Sequence, residues 1–352
     1  MKKLIIIILM MFFVSGCGTV DKDKVINNFV DTIESAKSYK MTGKMEIYNA
    51  EDTYSYNLQV LYMDDDYYKV NMLNLTNKHE QIILRDDEAV YVITPSLNKS
   101  YKFTSEWPYN SSQSYILNTL VKDINNDDEI EYENNEDEYI LKVKVNYPNN
   151  KDLIYQKMYF DSKMNLLKVD VYDKEDILSI SVTFDDIDYK ANLEDKDFDI
   201  DLIMESECCN TSNTSNDEVE EDVSNDEVVA DEVINEETIL NDIVYPLYVP
   251  TDTYLNTKEV VSTENGERAI LTFNGAKNFI LIEEVSNIGD EFETIPVFGD
   301  PLMISDTIGV VSSNSLSWSY NNVDYYLASN DMSTDEILTV ANSLTATQYV
   351  DK

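Results

Sequence analysis

Residues 54–62 read YSYNLQVLY, and the alternation in them sets the fold class. Tyr54, Tyr56, Leu58, Val60 and Tyr62 share one parity, while Ser55, Asn57 and Gln59 share the other. Successive side chains of a strand point to opposite faces, so a period of two with one polar side marks antiparallel sheet. The pattern recurs along the chain. Tyr68, Val70 and Met72 repeat it, and Val90 to Ile93 is a short apolar run. Tyr139, Leu141, Val143, Val145 and Tyr147 alternate with Lys142, Lys144 and Asn146. Leu167, Val169 and Val171 continue it, as do Leu178, Ile180, Val182 and Phe184. Turn clusters such as Asp64-Asp65-Asp66 and Asn149-Asn150 separate the runs.

Two helices interrupt the strands. Val25, Ile26, Phe29, Val30, Ile33 and Ala36 recur at helical spacing. Ile116, Leu117, Leu120, Val121 and Ile124 share one side of a helix expected over 111–124, with Asn110 or Ser111 as N-cap. Upstream, the chain opens MKKLIIIILMMFFVSGC, a basic start, an apolar core too short for a good membrane span, and Val14-Ser15-Gly16-Cys17. That order reads as a signal peptide over 1–16 followed by a lipobox cysteine. Cys17 is then the lipidated residue, and 17–22 is a short tether that holds the body near the outer face of the cytoplasmic membrane.

Residues 204–238 contain many carboxylates and no aromatic, and no Lys or Arg occurs between Lys196 and Lys258. This composition predicts an acidic, disordered linker between a first domain over 23–203 and a second over 239–352. Cys208 and Cys209 fall in the linker with no Cys or His cluster around them. In the second domain, Ala269 to Phe273 and Phe279 to Ile282 flank Asn274-Gly275. Leu316, Trp318 and Tyr320 face Val323, Tyr325 and Leu327 across Asn321-Asn322, a strong hairpin signal. Ser333-Thr334-Asp335-Glu336 is a capping box before Ile337, Val340, Ala341 and Leu344, which form the stripe of a closing helix. The expected fold class is α+β, an antiparallel half-barrel covered by helices plus a small α+β domain.

The formal charge of −42 argues against nucleic acid, which needs a basic face, and against a polybasic membrane grip. No catalytic motif is present. His79 is the only histidine and sits in the polar run TNKHEQ, read as solvated surface. There is no HExxH, no G-x-S-x-G and no glycine-rich phosphate loop, so no enzyme activity, metal or cofactor is expected. Pairs such as Asp185-Asp186 are expected by chance among 68 Asp and Glu. Trp318 reads as core from its alternation. Trp107, beside Pro108, is balanced between packing and partner contact, and Tyr109 goes with it.

The order of elements adds a resemblance. DDYYKVNMLN at 65–74, AVYVITPSLNKSYKF at 89–103, KMYFDSKMNLLKVDVYD at 157–173 and ISVTFDDIDYKANLEDKDFDID at 180–201 resemble the LolA-like carrier fold shared by the sigma regulator RseB. The stretch LSWSYNNVDYYLASNDMSTDEILTVANSL at 316–344 resembles the small domain appended to such lipoproteins and anti-sigma factors. Together with WPYNSSQSYIL at 107–117, the chain resembles sporulation and germination lipoproteins of the GerS and YdcC type. That resemblance implies a non-enzymatic role in spore cortex modification and germination, with a CwlD-like cortex amidase as partner. The alternative is a carrier of lipid or lipoprotein, or an envelope-stress sensor. In that reading Tyr56, Leu58, Val60, Leu141 and Val143 line a cavity for acyl chains, and the plainer reading packs them against the two helices.

Overall fold

The computed structural model describes residues 20–49, 53–64, 66–135, 138–211, 240, 242–263, 266–287, 292–304 and 306–347. The expected signal peptide, Cys17 and residues 212–239 of the expected linker lie outside the described residues. Helix α1 (Lys22–Ser35) opens the first half, with the Asp21 carboxylate accepting the Lys24 N–H at 2.8 Å. Its Val25, Phe29 and Ile33 recur every four residues and are buried. Six strands follow: β1 (Ser38–Tyr48), β2 (Thr53–Met63), β3 (Tyr67–Asn74), β4 (Glu80–Arg85), β5 (Val90–Thr94) and β6 (Lys99–Phe103). After helix α2 (Leu117–Asn126) come β7 (Glu131–Asn135), β8 (Glu138–Lys144), β9 (Leu153–Asp161), β10 (Leu166–Asp173) and β11 (Leu178–Asp188). Helix α3 (Ile200–Thr211) ends the first half.

Each run of strands is a meander, and pairing of β1 with β11 joins the two into one sheet. At that seam β1 carries an irregularity between Thr42 and Gly43. A Cβ on Gly43 would meet the Thr183 carbonyl oxygen at 2.3 Å, so the close approach requires glycine. The apolar parity of β2 registers with that of its neighbours, as in Met45 opposite Tyr56 and Val60 opposite Val70. These residues form one core with α1 and α2, in which Phe29 meets Phe160 edge to face at 5.5 Å. The result is an open antiparallel sheet with helices on it, not a closed barrel.

Two expectations need correction here. Helix α2 starts at Leu117, not at Ser111. The preceding polar residues find other partners. Ser112 accepts the Asn146 N–H and donates to Asp123, and the Thr119 hydroxyl donates to the Gln113 carbonyl. Such local bonds compete with a helical turn. The second concerns residue 204, expected to begin the linker. Helix α3 runs through it and places Ile203 and Met204 against Leu61, Ile82, Leu84, Tyr91 and Ile93 on the sheet's other face. Asp199 caps it by accepting the Asp201 and Leu202 N–H groups at 3.0 and 3.1 Å. Cys208 and Cys209 therefore lie on this helix.

The second half contains β12 (Thr253–Thr263), β13 (Gly266–Gly275), β14 (Phe279–Val285), β15 (Glu293–Val297), β16 (Asp300–Ile304), β17 (Thr307–Val311), β18 (Ser315–Tyr320), β19 (Val323–Ala328) and helix α4 (Thr334–Thr347). Seven of these strands form a sheet in the order β12-β13-β14-β19-β18-β17-β16. The turn between β18 and β19 takes φ of 48° at Asn321 and 60° at Asn322, the two positive values that a type I′ hairpin needs. The Ser333 N–H donates to Glu336 and the Glu336 N–H to the Ser333 hydroxyl, closing the capping box of α4. Strand β15 instead leaves its neighbours and pairs in parallel with β6, which makes it the twelfth strand of the first sheet.

Beneath α2, Asp123 accepts hydrogen bonds from Ser112 Oγ at 2.8 Å and Gln156 Nε2 at 3.0 Å. Burial pushes its carboxyl up to about 7, outweighing those two bonds. Between the unfolded value near 3.8 and about 7 the native chain holds a proton that the unfolded chain has released. This group therefore lowers stability as pH rises through that window, and its contribution is level above it. Asp123→Asn is expected to remove about 2–3 kcal/mol of the stability lost between pH 5 and pH 8. Urea unfolding at the two pH values measures this, and equal losses in both proteins would contradict it. The fall should shrink rather than vanish, because burial also raises Glu283 to about 7.

Candidate functional site

The two halves meet over a cavity of about 470 Å³. Its floor comes from the end of β1 and the start of β2, through Met45, Ile47 and Tyr54. One wall is the loop that carries Trp107 and Tyr115, of which residues 111–116 were expected to be helix. The second half supplies the roof, through Leu302, Met303, Ile308 and Asn342. The volume falls in the ~300–1,000 Å³ range of small-molecule sites. Among the described residues Asp300 is the only acid in the lining, and none of them there is His, Cys, Lys or Arg. Ser105 Oγ and Asn110 Nδ2 both donate to Asp300, at 2.6 and 2.9 Å. The arrangement can enclose an apolar group, but among the described residues it offers no nucleophile and base in contact.

Polar latches hold the roof down. The Gln81 amide behaves like a strand backbone: Oε1 accepts the Ile308 N–H at 2.6 Å and the Thr307 hydroxyl at 3.1 Å, while Nε2 donates to the Ile308 carbonyl at 3.2 Å. Lys99 pairs with Asp324 at 2.8 Å. Ser100 and Thr294 hydroxyls meet at 3.0 Å beside the β6–β15 pairing. Gln81→Leu leaves buried backbone groups of Ile308 unpaired, at a cost of about 1–3 kcal/mol. The expected result is faster hydrogen exchange over 293–310 with little change in β8 to β10. Unchanged exchange over 293–310 would show that Gln81 is not a latch.

The residues singled out in the sequence fall in different places. Tyr56, Leu58, Val60, Leu141 and Val143 are all buried in the first core, at most 3% exposed. None of them lines the cavity between the halves. Val143 borders a separate open groove of about 610 Å³ beside Lys142, Lys144 and Tyr155. Trp107 is 2% exposed and meets Tyr68 edge to face at 6.2 Å. Its carbonyl accepts Arg85 Nη1 at 2.6 Å. Tyr109 is half-buried, with its hydroxyl 2.7 Å from both the Tyr68 hydroxyl and Asp66 Oδ1. Of this pair, only Tyr109 reaches the surface. Trp318 lies in the second core, stacked on Tyr325 at 5.1 Å.

His79 differs from the reading of it as solvated surface. It is half-buried, its Nε2 is enclosed without a partner, and burial holds the imidazole below its ordinary range. Its neighbour Asn77 reaches Asp306 of the second half at 3.3 Å, while Thr76 and Lys78 of the same run stay exposed. No cluster of three His, Cys, Asp or Glu able to hold a metal occurs among the described residues. The cavity itself was not legible locally, because its roof lies far along the chain from its floor.

Residues 1–198 match the family model described as sporulation protein YdcC-like. Over 339 residues the chain is 32% identical to sporulation protein YdcC of Bacillus subtilis (strain 168), covering 96% of this chain and 94% of that protein. Among solved structures, the crystal structure of MucB aligns with 93% of this chain and 98% of its own, at 11% identity and a TM-score of 0.33. A chain from the complex of the Clostridioides difficile CwlD amidase with the GerS lipoprotein aligns with 49% of this chain and 97% of its own, at 19% identity and a TM-score of 0.30.

Proposed function

This chain belongs to the YdcC-like family of sporulation proteins, and from that premise we propose that it is a lipid-anchored, non-enzymatic partner protein of the spore envelope. The observation that carries the reading is the 32% identity to the Bacillus subtilis protein, maintained along nearly the whole of both chains. Sequence features supply the finer parts. The lipobox ending in Cys17 supports a tether at the outer face of the cytoplasmic membrane. The absence of a catalytic motif supports a binding role. The resemblance to the GerS and YdcC type points to a CwlD-like cortex amidase as the partner, and so to cortex modification and germination.

Deleting the gene and scoring germination and cortical muramic-δ-lactam tests this. Loss of the lactam with poor germination is expected, and spores with normal cortex and normal germination would refute the reading. A second reading, carriage of a hydrophobic ligand, is favoured by the cavity under Met303 and Ile308. Native mass spectrometry of the purified chain separates the two. Co-purifying lipid supports carriage, and a clean apo mass supports the partner role alone.

A further inference from the structure

The two sheets have four edges, and three of them carry devices that discourage further pairing. Strand β7 has five residues, EYENN, with carboxylates at Glu131 and Glu133. Strand β15 has five residues and Pro296, and β16 has five residues and Pro301. Strand β12 is the least protected: its one irregularity lies near its start, between Leu255 and Thr257, and the ladder from Thr257 to Thr263 is regular. It runs for eleven residues, TYLNTKEVVST, with no proline and one charge of each sign. Its inner side pairs with β13 from Thr253 opposite Gly275 to Thr263 opposite Gly266. Among the described residues no strand pairs with its outer side. In an antiparallel edge strand about half of the N–H and C=O groups point away from the sheet.

The side chains around this edge are also uncovered. Every residue from Tyr254 to Ser262 is exposed, including Leu255, Val260 and Val261. The segment before β12 adds Tyr245, Leu247 and Tyr248, all exposed. That segment is not loose: Val244 donates its N–H to the buried Glu283 at 3.0 Å, and Lys258 Nζ lies 5.6 Å from the Tyr245 ring centre. A long row of hydrogen-bonding groups, flanked on both faces by apolar and aromatic side chains, is the geometry that takes up an extended peptide.

We infer that β12 is a strand-addition site for an extended segment of a partner protein, with alternating apolar residues and net positive charge. Charge decides between a partner and a second copy of this chain. Two copies at −42 each repel, whereas a cationic strand is attracted. The site lies on the second half, and the inference stands whether or not the partner is the amidase.

Fluorescence anisotropy of the lipid-free full chain tests it. The probe is a labelled ten-residue peptide alternating Val and Lys. Saturable binding is expected. It should weaken at least tenfold when four consecutive central residues of the peptide are N-methylated, which removes backbone donors but keeps the charge. It should weaken at least tenfold against a Gly/Lys peptide of equal charge, and at least tenfold in V260K/V261K, whose exposed positions leave the fold intact. Equal binding of the N-methylated or Gly/Lys peptide would reduce the effect to bulk attraction and overturn the proposal. Failure of the Val/Lys peptide to bind would overturn it too, as would a dimer that V260K/V261K abolishes, which would make the occupant a second copy.

Discussion

Cys17→Ala is expected to abolish palmitate labelling and to move the protein out of the membrane fraction, as unprocessed precursor or as released chain. Only a thiol at this position accepts the diacylglyceryl group, so no neighbouring residue can substitute. Stable anchoring takes more than one acyl chain, each buried CH₂ contributing about 0.8 kcal/mol, and all of these are lost together. No helix among the described residues is long and apolar enough to cross a membrane, and a charge of −42 is repelled by an anionic bilayer. The Val20 carbonyl accepts the Tyr132 hydroxyl at 2.7 Å and Asn134 Nδ2 at 3.2 Å, which fastens the start of the body beside β7. With a lipid on Cys17, the three residues to Val20 would reach at most about 10 Å, which would put the β7 edge on the membrane-proximal side of the molecule. Processed C17A protein that remained membrane-bound would contradict both the anchor and this orientation.

Trp318→Ala is expected to destabilise the second half by about 3–5 kcal/mol. The indole is 2% exposed and stacks on Tyr325 with an interplanar angle of 9°. Truncation removes that stack and leaves a cavity that neighbouring Leu316 and Leu327 on the same two strands are too short to fill. A domain has only about 5–15 kcal/mol in total, so this is a large fraction of the second half's share. The consequence spreads. Strand β18 pairs with β17, which presents Ile308 to Gln81. Loosening β18 therefore loosens the roof of the cavity. Urea unfolding should become biphasic, with an early step reported by exchange over 293–347 and a later step in the first core. A single transition at the wild-type midpoint would show that the pair does not hold the second half.

These effects also show which parts of the molecule were legible in the sequence. The alternating runs around Tyr54–Tyr62 and Tyr139–Val143 became strands, because period two is a local consequence of backbone geometry. The Asn321-Asn322 turn and the Ser333–Glu336 box were equally local, each requiring only neighbouring residues. The failures involve distance. Residues 111–116 look like a helix start by propensity, yet Ser112 bonds to Asn146, a partner 34 positions away. Helix α3 was hidden by an acidic composition, although Asp199 was present as a cap and Ile203 and Met204 as an apolar pair. Strand β15 carries no sign in ETIPV that it will complete the other half's sheet. The cavity follows from that crossover, so its lining was no more readable than the crossover itself. The five residues proposed for a cavity are buried in one core together with residues of α1 and α2.

The partner role can be measured with purified components. The lipid-free chain from residue 18 onward is mixed with the cortex amidase of the same organism, and the mixture is analysed by size-exclusion chromatography and native mass spectrometry. A stoichiometric complex that survives gel filtration is the predicted result. Separate elution of the two proteins at micromolar concentration, with a lipid adduct on this chain, would contradict the partner account and leave the carrier reading in its place.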